Sequence, residues 1–376
     1  MGAAAYVHIP FCQRKCLYCD FNSYPGMEEL FLPYAEALKQ EVRAAARSFN
    51  TEIATVFFGG GTPTLLPPKL ISSVLEEIRA CFKILPNAEI TTEANPGTVT
   101  AGSLAHLHGA GFNRISLGVQ SLFDNELKRL GRIHTPKEAI RAFKDARSAG
   151  FTNINVDLMY GIPEETMDSW RSTLVRVLEL EPEHISLYSL SVEEGTPFFQ
   201  MYNSGELELP GSEAEADMYE EAARILTGAG FIHYEISNFA RPGFFCRHNI
   251  TYWKNQPYFG FGAGAASFLG GVRRTNASSV QEYIRRMGAG ESPVVSEEAL
   301  EGRMAMGETI FLGLRMLCGV DEQEFQSRYG TSLRKVFGPE IDGLKRRGLL
   351  EEPDGALRLT HKGLLLANEA FCQFLG

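Results

Sequence analysis

Six short runs of β-branched and aromatic residues recur through the first half of the chain, at 3–10, 53–59, 88–95, 113–120, 153–161 and 184–190. Each is apolar almost without interruption, the pattern of parallel strands buried on both faces. Between them apolar residues recur every three or four positions, as in PYAEALKQEVRAAARSF, PKLISSVLEEIRACF, AGSLAHLHGAG, PKEAIRAFKDARSAG and MDSWRSTLVRVLEL. Several of these stretches end in Gly, a common C-terminal stop for a helix. Strand–helix alternation at this spacing predicts right-handed βα crossovers. Six such units form an α/β fold, a partial (β/α)6 barrel, with a doubly wound open sheet as the structural alternative.

From about residue 195 the rhythm breaks. A loop-like stretch precedes a helix over 213–229, and an aromatic and Gly-rich segment follows. From about 298 helices alternate with turns, and two short strands around PDG read as a winged-helix-like, mainly helical module. The expected organisation is a core barrel over 1–195, a barrel extension over 196–297 and a helical C-terminal domain over 298–376.

Charge changes the reading of that last module. The 376 residues carry a net charge of -10 with no block of Lys or Arg. The footprint of a nucleic-acid binder is therefore missing, and packing or partner docking is the expected role. No apolar run approaches the roughly 20 residues needed to span a bilayer. The N-terminus turns polar too quickly for a signal peptide, and a cytoplasmic location is expected. No basic amphipathic helix announces membrane binding, which leaves a peripheral membrane contact open.

Of seven cysteines, three are clustered: Cys12, Cys16 and Cys19 in HIPFCQRKCLYCDF. An odd number in a long chain argues against a disulfide scaffold and for metal ligation. CxxxCxxC offers three soft thiolates to a [4Fe-4S] cube and leaves one iron open to a chelating ligand. The alternative is a zinc site that borrows a distant ligand such as His8. At the ends of the next strands stand GGGTPT (59–64), Glu93, Asn95, Gln120 and Asp157. The C-terminal strand ends are where barrels gather their chemistry.

The cluster spacing after the first strand, with Tyr18 before the last Cys, resembles the radical S-adenosylmethionine (SAM) superfamily. In that family the open iron takes the amino and carboxylate groups of SAM, and an electron from the cluster cleaves the sulfonium. GGGTPT, TTEANPGT, RISLGVQS, GRIH and VDLMYGIP together resemble the oxygen-independent coproporphyrinogen-oxidase-like branch, through nearly the whole chain. Carried over position by position, the resemblance implies that Cys12, Cys16 and Cys19 hold the cluster. It implies SAM contacts at Tyr6, Gly60, Gly61, Thr62, Glu93, Gln120, Arg132 and Asp157, with Tyr18 contributing its backbone.

Two features divide that branch. The decarboxylating members carry a further Cys two residues after the last ligand, where this chain has Phe21. RHNITYW (247–253) matches the HNxxYW signature of HemW-type heme chaperones, and imidazole is a good axial ligand for heme iron. The resemblance thus implies a chain that binds a SAM-chelated cluster and heme, with His248 at the heme. It would receive electrons from a donor and deliver heme to acceptor hemoproteins. It retains radical SAM machinery without the expectation of coproporphyrinogen III dehydrogenase activity. That dehydrogenase, or a radical SAM enzyme acting on heme, is the alternative.

Overall fold

The computed structural model describes residues 2–375. Strand β1 (Ala3–Ile9) leads through the cysteine loop to α1 (Phe31–Ser48), and β2 (Glu52–Gly60) to α2 (Pro68–Cys81). The series continues with β3 (Lys83–Ala94), α3 (Ala101–Gly109), β4 (Arg114–Gln120), α4 (Asp124–Arg129), α5 (Pro136–Ser148), β5 (Ile154–Tyr160), α6 (Met167–Leu178) and β6 (His184–Ser189). Local sequence sets the helix starts. Thr100, Thr135 and Thr166 each accept the backbone N–H three residues on, and Ser103, Glu138 and Ser169 bond back, so α3, α5 and α6 open on capping boxes.

Beyond the core come α7 (Pro197–Asn203), α8 (Ser212–Gly228), β7 (Ile232–Glu235), β8 (Asn238–Ala240), α9 (Arg247–Trp253), β9 (Tyr258–Phe261), β10 (Ala266–Leu269), β11 (Val272–Asn276), α10 (Val280–Gly288) and β12 (Val294–Ala299). All of these strands join one twelve-stranded sheet in the order β12-β11-β10-β9-β1-β2-β3-β4-β5-β6-β8-β7. Strands β1 to β6 are parallel, β9 adds parallel to β1, and the outer strands pair antiparallel. The end strands β12 and β7 do not meet, so the barrel stays open. The main apolar core runs from Val7 and Phe58 through Leu117 and Val156 to Ile185 and joins the strands to the helices, with a smaller cluster around Leu130, Met159 and Phe198.

The aromatic and Gly-rich segment after residue 230 thus extends the sheet at both edges. GFGAGAASF is a close-packed strand and turn: a Cβ on Gly260 would lie 2.0 Å from the Ala266 carbonyl oxygen. The C-terminal module has its own core around Ile310, Phe337 and Leu357. It comprises α11 (Gly302–Gly313), β13 (Val320–Asp321), α12 (Glu322–Tyr329), α13 (Leu333–Arg346), β14 (Leu350–Glu351), β15 (Ala356–Leu359), α14 (His361–Leu365) and α15 (Ala367–Phe371). Its wing holds three strands, since β13 pairs with β15 alongside the expected β14–β15 hairpin. Among the described residues no helix is long and apolar enough to cross a membrane.

Candidate functional site

The loop after β1 carries the three thiols over the C-terminal mouth of the barrel. Cys12, Cys16 and Cys19 line a cavity of about 350 Å³ together with Tyr18, Phe21, Gly60, Gly61 and Thr62. Glu93, Gln120, Arg132 and Asp157 face the same cavity. Burial pushes the Cys12 and Cys19 thiols up from their ordinary range. A bound cation would reverse that, because ligation favours thiolate.

The glycine turn is built to hug the cysteine loop. Gly61 N–H donates to the Ile9 carbonyl at 2.8 Å and Thr62 N–H to the Phe11 carbonyl at 2.7 Å. Gly60 has φ of 116°, and a Cβ there would lie 2.6 Å from the His8 ring; one on Gly61 would lie 2.5 Å from the Phe11 carbonyl oxygen. Only glycine permits both the conformation and the approach. His8 itself is spoken for, with one ring nitrogen 2.9 Å from the Tyr6 hydroxyl and the other 2.9 Å from the Asn22 carbonyl. It is no spare zinc ligand.

Opposite the thiols, Arg132 reaches the Cys16 sulfur at 3.5 Å, the Asn95 amide oxygen at 2.5 Å and the Gly118 carbonyl at 2.7 Å. Its Nε and the Gln120 Oε1 are buried without a partner. Gln120 also sits at φ of 66°, a left-handed backbone that costs a non-glycine residue on the order of 1 kcal/mol or more. Two orphaned polar atoms, one donor and one acceptor, beside a strained residue and a glycine cradle fit a zwitterionic ligand with carboxylate, amino and ribose groups. Glu93 accepts the Gly60 N–H at 3.1 Å. Burial, then the Asp157 charge, lifts its carboxyl to about 8.

Sequence reasoning placed Asn95 at a strand end without a role, and missed Gly118 and Tyr188. Asn95 donates to the Thr62 hydroxyl at 2.7 Å and accepts from Arg132. Gly118 must lack a side chain, since its Cβ would fall within 2.9–3.3 Å of Asn95, Gln120 and Arg132. Tyr188, 41% exposed, lines the cavity wall. A lone Gly inside an otherwise apolar strand was the available signal for Gly118.

Below this cavity lies a second, of about 180 Å³, which shares Glu93, Ser116, Asp157 and Tyr188 with it. Asp157 stands here mid-strand and not at the strand end: Ser116 donates to it at 2.8 Å and Asn155 at 2.7 Å. Tyr6 lines this lower chamber and is absent from the lining of the upper one. Its ring packs over Phe57 and His248.

Against this geometry the comparisons with known proteins are informative. Heme chaperone HemW of Bacillus subtilis is 40% identical over 375 residues, covering 99% of this chain and 99% of that protein. The chain belongs to the HemW family. HemW of Escherichia coli is 36% identical, with 98% and 97% covered. The radical SAM superfamily matches residues 6–177, which contain the upper cavity's thiols and cradle, and the HemN C-terminal domain matches residues 300–366. The solved structure of the Escherichia coli radical SAM enzyme coproporphyrinogen III oxidase (HemN) superposes with a TM-score of 0.86 at 25% identity, over 99% of this chain and 90% of that one.

The HNxxYW segment of this HemW-family chain forms α9, which plugs the barrel from below. Glu89 of β3 accepts the backbone N–H groups of Arg247 and His248 at 3.1 and 3.0 Å, so a carboxylate caps the helix start. His248 is 1% exposed, with Nδ1 2.8 Å from the Thr55 hydroxyl and Nε2 3.0 Å from the Tyr252 hydroxyl. Burial, then the nearby Arg114 charge, depresses it to about 3, so the imidazole is neutral. Trp253 lies under the Arg315 guanidinium at 4.3 Å and ties the plug to the C-terminal module. In this arrangement His248 faces Thr55 and Tyr252, and these hydrogen bonds would have to open for its imidazole to reach a heme iron. Both ring nitrogens are engaged, and the adjoining 180 Å³ falls below the roughly 300 Å³ at which sites for sizeable ligands begin.

Proposed function

We propose that this chain is a heme chaperone that binds heme, holds a SAM-chelated [4Fe-4S] cluster and passes heme to acceptor hemoproteins. Cys12, Cys16 and Cys19 hold the cluster. The 350 Å³ cavity receives SAM, with Gly60, Gly61 and Thr62 offering backbone and hydroxyl groups, Arg132 a cation for the carboxylate, and Gln120 and Glu93 polar partners. When bound, the reduced cluster supplies the electron for SAM cleavage, and an external carrier must supply that electron. The chain's own contribution is orientation, electrostatics and exclusion of water. The proposal places the protein in the cytoplasm.

The observation that carries the reading is Phe21. It is 61% exposed at the lip of a complete cofactor cavity, two residues past the last cluster thiol. Its ring offers no hydrogen atom of the kind a thiol gives, so the lip is built for contact with an apolar body and not for proton or hydrogen exchange. Full-length identity to relatives named heme chaperones supports the same conclusion.

The second reading, oxidative decarboxylation of coproporphyrinogen III, draws on the likeness to HemN. Anaerobic incubation with SAM, reductant and coproporphyrinogen III separates the two. Recovery of unchanged substrate beside measurable heme binding supports the chaperone; protoporphyrinogen formation overturns it.

A further inference from the structure

The return limb of the cysteine loop, from Cys19 to Tyr24, is fastened to its surroundings more closely than a turn that merely presents thiols would need. We infer that Ser23 sets the reduction potential of the cluster, its hydroxyl donating to two of the three ligand sulfurs. This rests on the cluster assignment above and adds to it a residue that tunes electron entry.

Both neighbours of Ser23 are pinned. On one side, the Asn22 side-chain amide donates to the carbonyls of Ala263 and Ser278 at 3.0 Å each, across to the β9–β10 turn and the start of α10. Its amide oxygen accepts the Tyr24 hydroxyl at 2.8 Å, and its backbone carbonyl lies 2.9 Å from the His8 ring. Gly264 makes room for this contact: its φ is 75°, and a Cβ there would lie 2.6 Å from the Asn22 amide nitrogen. On the other side, Tyr24 N–H donates to the Pro10 carbonyl at 2.7 Å and the Tyr24 carbonyl accepts Cys12 N–H at 3.1 Å, which zips the two ends of the loop together. Lys15 adds a further tie from within the loop, donating to the Phe21 carbonyl at 3.0 Å.

Ser23, so placed, is 4% exposed and lines the cofactor cavity beside the thiols. Its hydroxyl reaches the sulfurs of both Cys12 and Cys19, and the Phe21 N–H reaches that of Cys19 as well. Cys16 takes the Arg132 guanidinium from the opposite wall at 3.5 Å. Each thiol of the motif therefore has a donor, and Ser23 serves two of them.

An iron–sulfur cluster gains a negative charge on reduction and shares it with its thiolates. Donors aimed at those sulfurs stabilise the reduced form more than the oxidised one and raise the potential. Burial strengthens the effect, because little water competes for the sulfur. A higher potential brings the cluster within reach of weaker one-electron carriers.

The test is a redox titration of the anaerobically reconstituted full-length chain, without SAM, followed by the electron paramagnetic resonance of the reduced cluster, for wild type, Ser23→Ala and Ser23→Thr. Ser23→Ala leaves every ligand in place and should keep the iron content and absorbance of wild type. Its reduced-to-oxidised ratio at a fixed poise should fall roughly tenfold, the scale of one hydrogen bond to a charged group, or about 59 mV toward the negative for a one-electron couple. Ser23→Thr keeps the hydroxyl and should recover most of that loss. An iron-loaded Ser23→Ala chain with an unchanged or more positive potential overturns the tuning role alone. A Ser23→Ala chain that unfolds like wild type yet takes up no iron also overturns it, since the residue then belongs to the scaffold. Wild type that takes up no iron overturns the cluster assignment together with this inference.

Discussion

Replacing His248 by alanine removes a neutral, buried imidazole that joins three elements. Two hydrogen bonds disappear, to Thr55 on β2 and to Tyr252 one turn along α9. Each contributes about 1 kcal/mol net, and the hydroxyls left behind are buried. The ring also stacks on Phe57 at 5.0 Å and meets Tyr252 edge-on at 5.0 Å, contacts that add roughly 1 kcal/mol. The cavity left by a ring-to-methyl change adds about 1–2 kcal/mol more. We expect a total loss of about 4–5 kcal/mol, read as a lower denaturant midpoint. His248→Gln, which can keep one of the two bonds, should recover part of the stability. A fully stable His248→Ala protein would refute the plug.

Other outcomes follow from the same geometry. Cys16→Ser should yield protein without the brown cluster chromophore or bound iron, since two thiolates hold a cube poorly; iron analysis and absorbance check this. Gly61→Ala drives a Cβ to within 2.5 Å of the Phe11 carbonyl oxygen. It should weaken SAM binding at least tenfold by calorimetry while far-UV circular dichroism stays native. Stability of the ligand-free chain should fall as pH rises from about 4.5 toward 8. Burial lifts Glu41 to about 7 and Glu165 to about 8, so the folded state retains protons that the unfolded state releases. With Glu93, also lifted to about 8, each takes away on the order of 3–5 kcal/mol of stability across that window, and Glu41→Gln/Glu165→Gln should reduce the slope without removing it.

Much of the barrel was legible because parallel strands buried on both faces announce themselves as unbroken apolar runs, as in NINVDLMYG. The outer strands were not. VRRTN and VVSEEA are half-exposed antiparallel edges, whose polar residues hide the pattern. The two-residue β13 has no periodicity to read. In the site, the thiols, the glycine turn, Glu93, Gln120 and Arg132 were readable because each closes or follows a strand and so must sit at one end of the barrel. Asp157 and Tyr6 point into the lumen one level lower, a difference in depth that strand assignment alone does not resolve. His248 shows the limit most sharply. A motif can mark a residue as special, yet whether it faces a ligand or a threonine on β2 depends on how a helix 193 residues away in sequence packs under the barrel.

The central claim is heme delivery, and transfer to a heme-free acceptor tests it most directly. The reconstituted chain is loaded with heme under anaerobic, reducing conditions with SAM, then mixed with an apo-hemoprotein whose absorbance reports its own filled site. The account predicts that the acceptor fills faster than it does from albumin-bound heme, and that it no longer does so when Cys16 is replaced. No transfer from a heme-loaded wild-type chain, with coproporphyrinogen III converted under the same conditions, would contradict it.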